Sequence, residues 1–243
     1  MIALDSKDLF WILRRTPRCV INLMESHRLV FMAGGFIRAC IANEEVQDLD
    51  LFAPDAERAD LYARAVAGGA GTIYKTQNAI TIRRPDVPFP IQVVHRWTYV
   101  TAEELIESFD FTIAKAVVWC TTLRDNTNHK PGWTSIAHDN FYIDLAAKRL
   151  TYTSPKRNED AGGSALRMLK FYQRGYRIPL DSMGAVLARL YGGVHLDQLP
   201  QDRPREEALA MVITGLLHEV DPLLDPHHIF HLPSGQGEEN EAV

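Results

Sequence analysis

The sequence predicts an α/β fold: a mixed β-sheet with helices packed against it, followed by a small helical domain. Three observations carry that expectation. Residues 1–153 alternate short apolar runs with stretches whose apolar residues recur every three or four positions, the pattern of strands alternating with helices. After Pro155 only amphipathic helical stretches remain. With 243 residues and 46% hydrophobic content, the chain is long and apolar enough to bury a substantial core.

In chain order, residues 6–15 carry apolar positions at helical spacing behind a capping pattern at Ser6, and Pro17 ends them. Residues 19–27 predict a second helix, residues 29–33 a strand, Gly34-Gly35 a turn, and residues 36–42 a short helix. Residues 46–53 read as the next strand. A helix is expected at 56–67, a hairpin at 72–75 and 79–84, irregular chain through the prolines of 85–90, and a strand at 91–95. Thr101 caps a short helix. Alternation of Phe109, Phe111 and Ile113 with Asp110, Thr112 and Ala114 predicts a strand over 109–119. Residues 123–135 are expected as a loop, and 140–153 as a hairpin. Helices follow at 164–176, 180–191 and 204–219. The division is therefore 1–153, a helical unit at 154–232, and an acidic tail at 233–243 of disordered composition.

A net charge of −5 argues against an extensive nucleic-acid footprint but leaves local basic patches open. Cys19, Cys40 and Cys120 have no paired or metal-ligand spacing, so neither a disulfide framework nor a zinc site is expected, and a reducing cytoplasm fits. The N-terminus lacks the apolar stretch of a signal peptide, and no apolar run is long enough to span a membrane.

The chemistry concentrates in residues 29–52, LVFMAGGFIRACIANEEVQDLDLF. An apolar strand runs into Gly34-Gly35, a helix bearing Arg38 follows, and the next strand carries Asp48 and Asp50. Strand periodicity puts the two carboxylates on one face and Leu49 and Leu51 on the other. Adjacent carboxylates repel, a cost best tolerated where a cation sits between them. The glycine turn and helix start offer backbone N–H groups to an anion. A divalent cation held by Asp48 and Asp50, beside phosphates held by Gly34, Gly35 and Arg38, is the expected site. His227, His228 and His231 lack partners at metal-ligand spacing. Arg83, Arg84, Arg96 and Lys115 read as surface cations, and Arg167, Lys170 and Arg174 as a solvated helix face whose alternative is a phosphate contact.

The segment AGGFIRACIANEEVQDLDLF resembles the head motif of the CCA-adding enzyme and bacterial poly(A) polymerase family, within the polymerase-β-like nucleotidyltransferases. SFDFTIAKAVV, around Asp110, is similar to that family's RRDFTINAL segment, and LRMLKFYQRGY (166–176) to its neck helix. The resemblance implies a nucleotidyltransferase head on a mixed sheet, with a neck-like helical domain behind it. It further implies Mg²⁺-dependent transfer of a nucleoside monophosphate from an NTP to a hydroxyl acceptor, with RNA or tRNA foremost and a protein or small molecule as alternatives. Asp48 and Asp50 would be the metal ligands, and Asp110 a third carboxylate or a ribose contact.

Departures qualify this. Ala39 replaces an aspartate, Ser108 and Phe109 replace the two arginines before Asp110, and Asp160, Ala161 and Ser164 stand where the family's base-reading EDxxR group would be. Selectivity for one base is thus not implied. The chain ends soon after the neck, so the tRNA-holding domains of that family are not expected. The alternative reading is a degenerate relative that binds a nucleotide or a protein partner without turnover.

Overall fold

The structure, a computed structural model, describes residues 1–122, 132–155 and 161–218. The tail at 233–243, the three C-terminal histidines, Asp160 and most of the loop expected at 123–135 lie outside the described residues.

Helices α1 (Ser6–Arg15) and α2 (Arg18–Ser26) lead into strand β1 (Phe31–Ala33), helix α3 (Gly35–Ala42) and strand β2 (Leu49–Phe52). Helix α4 (Ala56–Ala67), the hairpin β3 (Thr72–Lys75) and β4 (Ala79–Arg83), β5 (Ile91–Val94) and helix α5 (Ala102–Glu107) follow. Strands β6 (Ala116–Thr122) and β7 (Gly132–Ala137), then α6 (Phe141–Ala146), α7 (Ala161–Gln173), α8 (Leu180–Gly192) and α9 (Arg205–His218), complete the described chain. The seven strands form one mixed sheet in the order β3-β4-β5-β2-β1-β6-β7. β2 and β5 run parallel and the other pairs antiparallel.

Side-chain alternation divides the sheet into two faces. Met32, Leu49, Leu51, Ile82 and Val93 join residues of α1–α4 in the main core. Phe31, Ala33, Phe52 and Val117 point the other way, against Ala102, Leu105 and Ile106 of α5. The main core continues through Phe171, Tyr176, Val186 and Leu190, so the later helices share buried apolar surface with the sheet.

Several expectations are corrected. The cap of α1 is Asp5, whose carboxylate accepts the Lys7 N–H at 2.8 Å, rather than Ser6. The strand expected over 109–119 begins only at Ala116. Phe111 forms an isolated bridge with Tyr152, and a 3-10 turn covers Thr112–Ala114. The alternating phenylalanines are satisfied otherwise: Phe111 is buried against the rings of Tyr152 and Phe171. Residues 132–135, expected as loop, belong to β7. The hairpin expected at 140–153 is helix α6 followed by short bridges, because Phe141 and Leu145, one helical turn apart, are both buried.

Candidate active site

Gly34 sits where β1 hands over to α3, at φ 79° and ψ −134°, a backbone conformation that L side chains rarely adopt. A Cβ on Gly34 would stand 3.4 Å from the Phe109 ring and 3.8 Å from Asp50 Oδ2. A Cβ on Gly35 would stand 3.7 Å from Asp48 Oδ1 and 3.8 Å from both terminal nitrogens of Arg38. The two carboxylates and the Arg38 guanidinium thus converge on the glycine turn. Asp50 pairs directly with Ala33 across β1 and β2, which fixes it on the α5 face of the sheet. Leu49 and Leu51 take the opposite face.

Electrostatics tie the pair together. Burial raises the pKa of Asp48, opposed by Arg174, Arg38 and Lys170. Burial also raises Asp50 well above the usual carboxylate range, and the negative charge of Asp48 adds to it. The protein alone therefore resists holding both carboxylates ionised. Paired carboxylates beside a glycine turn suit Mg²⁺, which is commonly held by one or two carboxylates plus substrate phosphates. Among the described residues, no group of three or more His, Cys, Asp or Glu is arranged to hold a metal.

Cations come from two helices. Arg38 of α3 is buried, donates from Nε to Glu44 Oε2 at 3.2 Å, and lies 4.9 Å from the centre of the Phe171 ring. Glu44 is turned back by Asn43, which adopts the left-handed conformation at φ 53°, and its Oε1 accepts from Tyr176 at 2.8 Å. Arg174 of the segment after α7 lies 5.9 Å from the same ring. Arg174 keeps solvent contact, yet surrounding protein lowers its pKa, with the like charge of Arg38 next. Two guanidinium groups thus share one aromatic plate beside Asp48, and such crowding is relieved by an anion.

Asp110 has its own partner. It is buried, and its Oδ2 accepts from Arg167 Nε of α7 at 2.7 Å, so it ties the segment before β6 to α7. The remaining cations named from sequence have structural settings. Arg84 Nη1 closes the C-terminus of α4 on the carbonyls of Val66 and Ala67, Arg96 donates to Asn78, and Lys115 is buried. Ala161 and Ser164, which the resemblance aligns with base-reading residues, face the other helices. Ser164 is fully buried, the Ala161 methyl lies 3.1 Å from the position a Gly193 Cβ would take, and Gly162 abuts the Leu216 carbonyl of α9.

A family model described as "Gabija anti-defense 2 family protein" (Gad2) matches residues 6–148, more than half of the chain. The chain belongs to this Gad2 family. Solved structures align at low identity over nearly all of this Gad2 protein. The Thermotoga maritima CCA-adding enzyme complexed with tRNA shares 17% identity at a TM-score of 0.53, covering 94% of this chain and 59% of that one. CCA-adding enzyme complexes with ATP and with CTP share 20% and 18% identity at TM-scores of 0.54 and 0.55, each covering 88% of this chain and 51% of the other. The chain spans about half to three-fifths of these structures. The likeness shows the nucleotidyltransferase fold; the family itself is Gad2 rather than that of the CCA-adding enzymes. No curated protein matches the chain. Among the described residues no helix is long and apolar enough to cross a membrane.

Proposed function

We propose that this Gad2 protein transfers a nucleoside monophosphate from an NTP to a hydroxyl acceptor, and that this chemistry is how it acts against the defence its family is named for. One observation carries the reading: Asp48 and Asp50 converge on the Gly34-Gly35 turn with Arg38 beside them and Lys170 and Arg174 acting on Asp48. Asp48 and Asp50 would hold Mg²⁺, which when bound polarises the phosphates and lowers the pKa of the acceptor hydroxyl. Gly34 and Gly35 leave room for phosphate oxygens to approach the start of α3, and Arg38, Lys170 and Arg174 offset the charge of the triphosphate and of the departing pyrophosphate. Lys170 and Arg174 thus supply, from α7 and the segment after it, the positive charge that Ser108 and Phe109 do not. Asp110 positions rather than reacts: it anchors Arg167 and with it the helix bearing those cations. The sheet domain at 1–153 is proposed as the catalytic head and 154–232 as its neck. RNA or tRNA is the acceptor that the fold relatives suggest.

A non-catalytic nucleotide binder is the second reading, favoured by the burial of Ser164 and the close approach of Ala161 to the position of a Gly193 Cβ, which take up positions that would read a base. Incubation with α-phosphate-labelled NTPs, Mg²⁺ and either RNA or protein acceptors separates the two. Label should move with wild type and not with Asp48→Ala/Asp50→Ala. Transfer surviving the double substitution refutes the assignment, whereas Mg²⁺-dependent nucleotide binding with no transfer by either protein establishes the binder.

A further inference from the structure

The geometry points to an acceptor site beside α5, and to its occupant: a hydroxyl-bearing side chain on a basic polypeptide segment. This rests on the transfer reading above. A cleft of about 600 Å³ opens between the loop after β5 and helix α5, lined by Trp97 and Tyr99 and by Glu103, Glu104, Glu107 and Ser108. That volume suits a small ligand or a few residues of chain.

A run of packed rings leads from the wall of the cleft to the carboxylate pair. Tyr99 meets the Phe52 ring edge-on at 6.0 Å, and Phe52 meets Phe109 edge-on at 5.9 Å. Phe109, directly after Ser108, and Asp50 Oδ2 both lie within 4 Å of the point where a Gly34 Cβ would stand. Asp50 and Phe52 share one face of β2, two residues or about 7 Å apart along the strand. The cationic groups act on Asp48, on the α3 and α7 side. In-line phosphoryl transfer sets nucleophile and leaving group at opposite ends of the reacting phosphorus. With pyrophosphate leaving toward Arg38, Lys170 and Arg174, the acceptor enters from the aromatic, acidic side.

The charge of the cleft selects the acceptor class. Three carboxylates line it, and its one arginine, Arg96, lies 4.8 Å from the centre of the Trp97 ring and donates to Asn78 Oδ1 at 2.9 Å. An RNA backbone meets like charge here. Lysine or arginine flanking a serine, threonine or tyrosine meets opposite charge, and the faces of Trp97 and Tyr99 suit such cations. The side-chain oxygen forms a bond to the α-phosphorus, the bond to the bridging oxygen breaks with its electron pair leaving on pyrophosphate, and the hydroxyl proton passes to solvent.

The test uses the full chain with a fluorescent Lys-Arg-Ser-Lys-Arg peptide and a fluorescent short RNA with a free 3′ hydroxyl. Binding is followed by anisotropy, and transfer by label from α-labelled NTPs. The peptide should bind at least about 10-fold more tightly than the RNA. The variant Glu103→Gln/Glu104→Gln/Glu107→Gln should lose that preference with an unchanged thermal melt. RNA binding as tightly as peptide, or peptide binding unaffected in the triple variant, overturns the proposal. Glutamate-dependent peptide binding without transfer to any acceptor refutes the transfer reading while leaving the cleft assignment standing. Transfer to RNA that requires Asp48 and Asp50 does the reverse.

Discussion

Removing Arg167 should destabilise the protein more than removing its partner Asp110, and a double-mutant cycle should show strong coupling between them. Asp110 is 2% exposed and Arg167 33% exposed, at 2.7 Å. Arg167→Met leaves a buried carboxylate without this partner, a loss that typically costs 3–5 kcal/mol; the partial exposure of the pair favours the lower end, about 3 kcal/mol. Asp110→Asn leaves a guanidinium that can rehydrate, so the loss of one charge-assisted hydrogen bond should cost only about 1.5 kcal/mol. The double variant buries no unpaired charge, which gives a coupling energy of about 2 kcal/mol. Urea unfolding followed by tryptophan fluorescence measures all four corners, and Arg167→Lys should restore only part of the loss because it lacks the planar fork. Since α7 also carries Lys170, nucleotide affinity should fall in Arg167→Met as well. A coupling energy below about 0.5 kcal/mol would show that the contact neither joins the sheet to α7 nor positions the cations.

Three further outcomes are expected. Gly34→Ala, forced into a positive-φ conformation with its methyl against Phe109 and Asp50, should cost about 2 kcal/mol by chemical denaturation and weaken nucleotide binding measured by calorimetry. Gly162→Ala drives a methyl into the Leu216 carbonyl, and backbone there cannot yield cheaply, so about 2 kcal/mol should be lost in the same unfolding assay. Asp50 binds its proton more tightly folded than unfolded, so its contribution is fully present below its unfolded value near 3.8 and is lost as pH rises through the folded-state value. Asp50→Asn should therefore raise the metal-free Tm at neutral pH, flatten that part of the pH–stability curve, and abolish stabilisation by added Mg²⁺.

How far the sequence reaches depends on the range over which each feature is determined. The pair Asp48 and Asp50 was legible because strand periodicity is local: Leu49 and Leu51 must enter the core, and the aspartates take the other face. The glycine turn was legible because only glycine enters Gly34's backbone conformation without strain. The segment at 109–115 was misread because alternation signals a half-buried chain, not the partner that buries it. Here the partners are residues 151–153, with Thr153 N–H donating to Asp110 O at 2.8 Å, and α7, which lies 57 positions on at Arg167. The roles of Glu44 and Phe171 had no local signal. Both depend on Asn43 and Gly175 turning the chain through positive φ, which brings Glu44 back to Arg38 and Tyr176 down onto Glu44.

The replacement of two arginines by Ser108 and Phe109 reads in sequence as a loss, but the surroundings give it a different meaning. Phe109 occupies the space over Gly34 and against Phe52, on the face of the sheet that Asp50 shares. A guanidinium there would sit beside a carboxylate whose pKa burial raises, and would bring positive charge to the side facing the acidic cleft. With a ring in that position, Arg38, Lys170 and Arg174 act on Asp48, from α3, α7 and the segment after α7. The site acquires a polarity: cations at one carboxylate, an aromatic wall and glutamates beyond the other. On the proposed transfer reading, such a site separates its leaving-group end from its acceptor end by charge, which disfavours a polyanionic acceptor at the cleft.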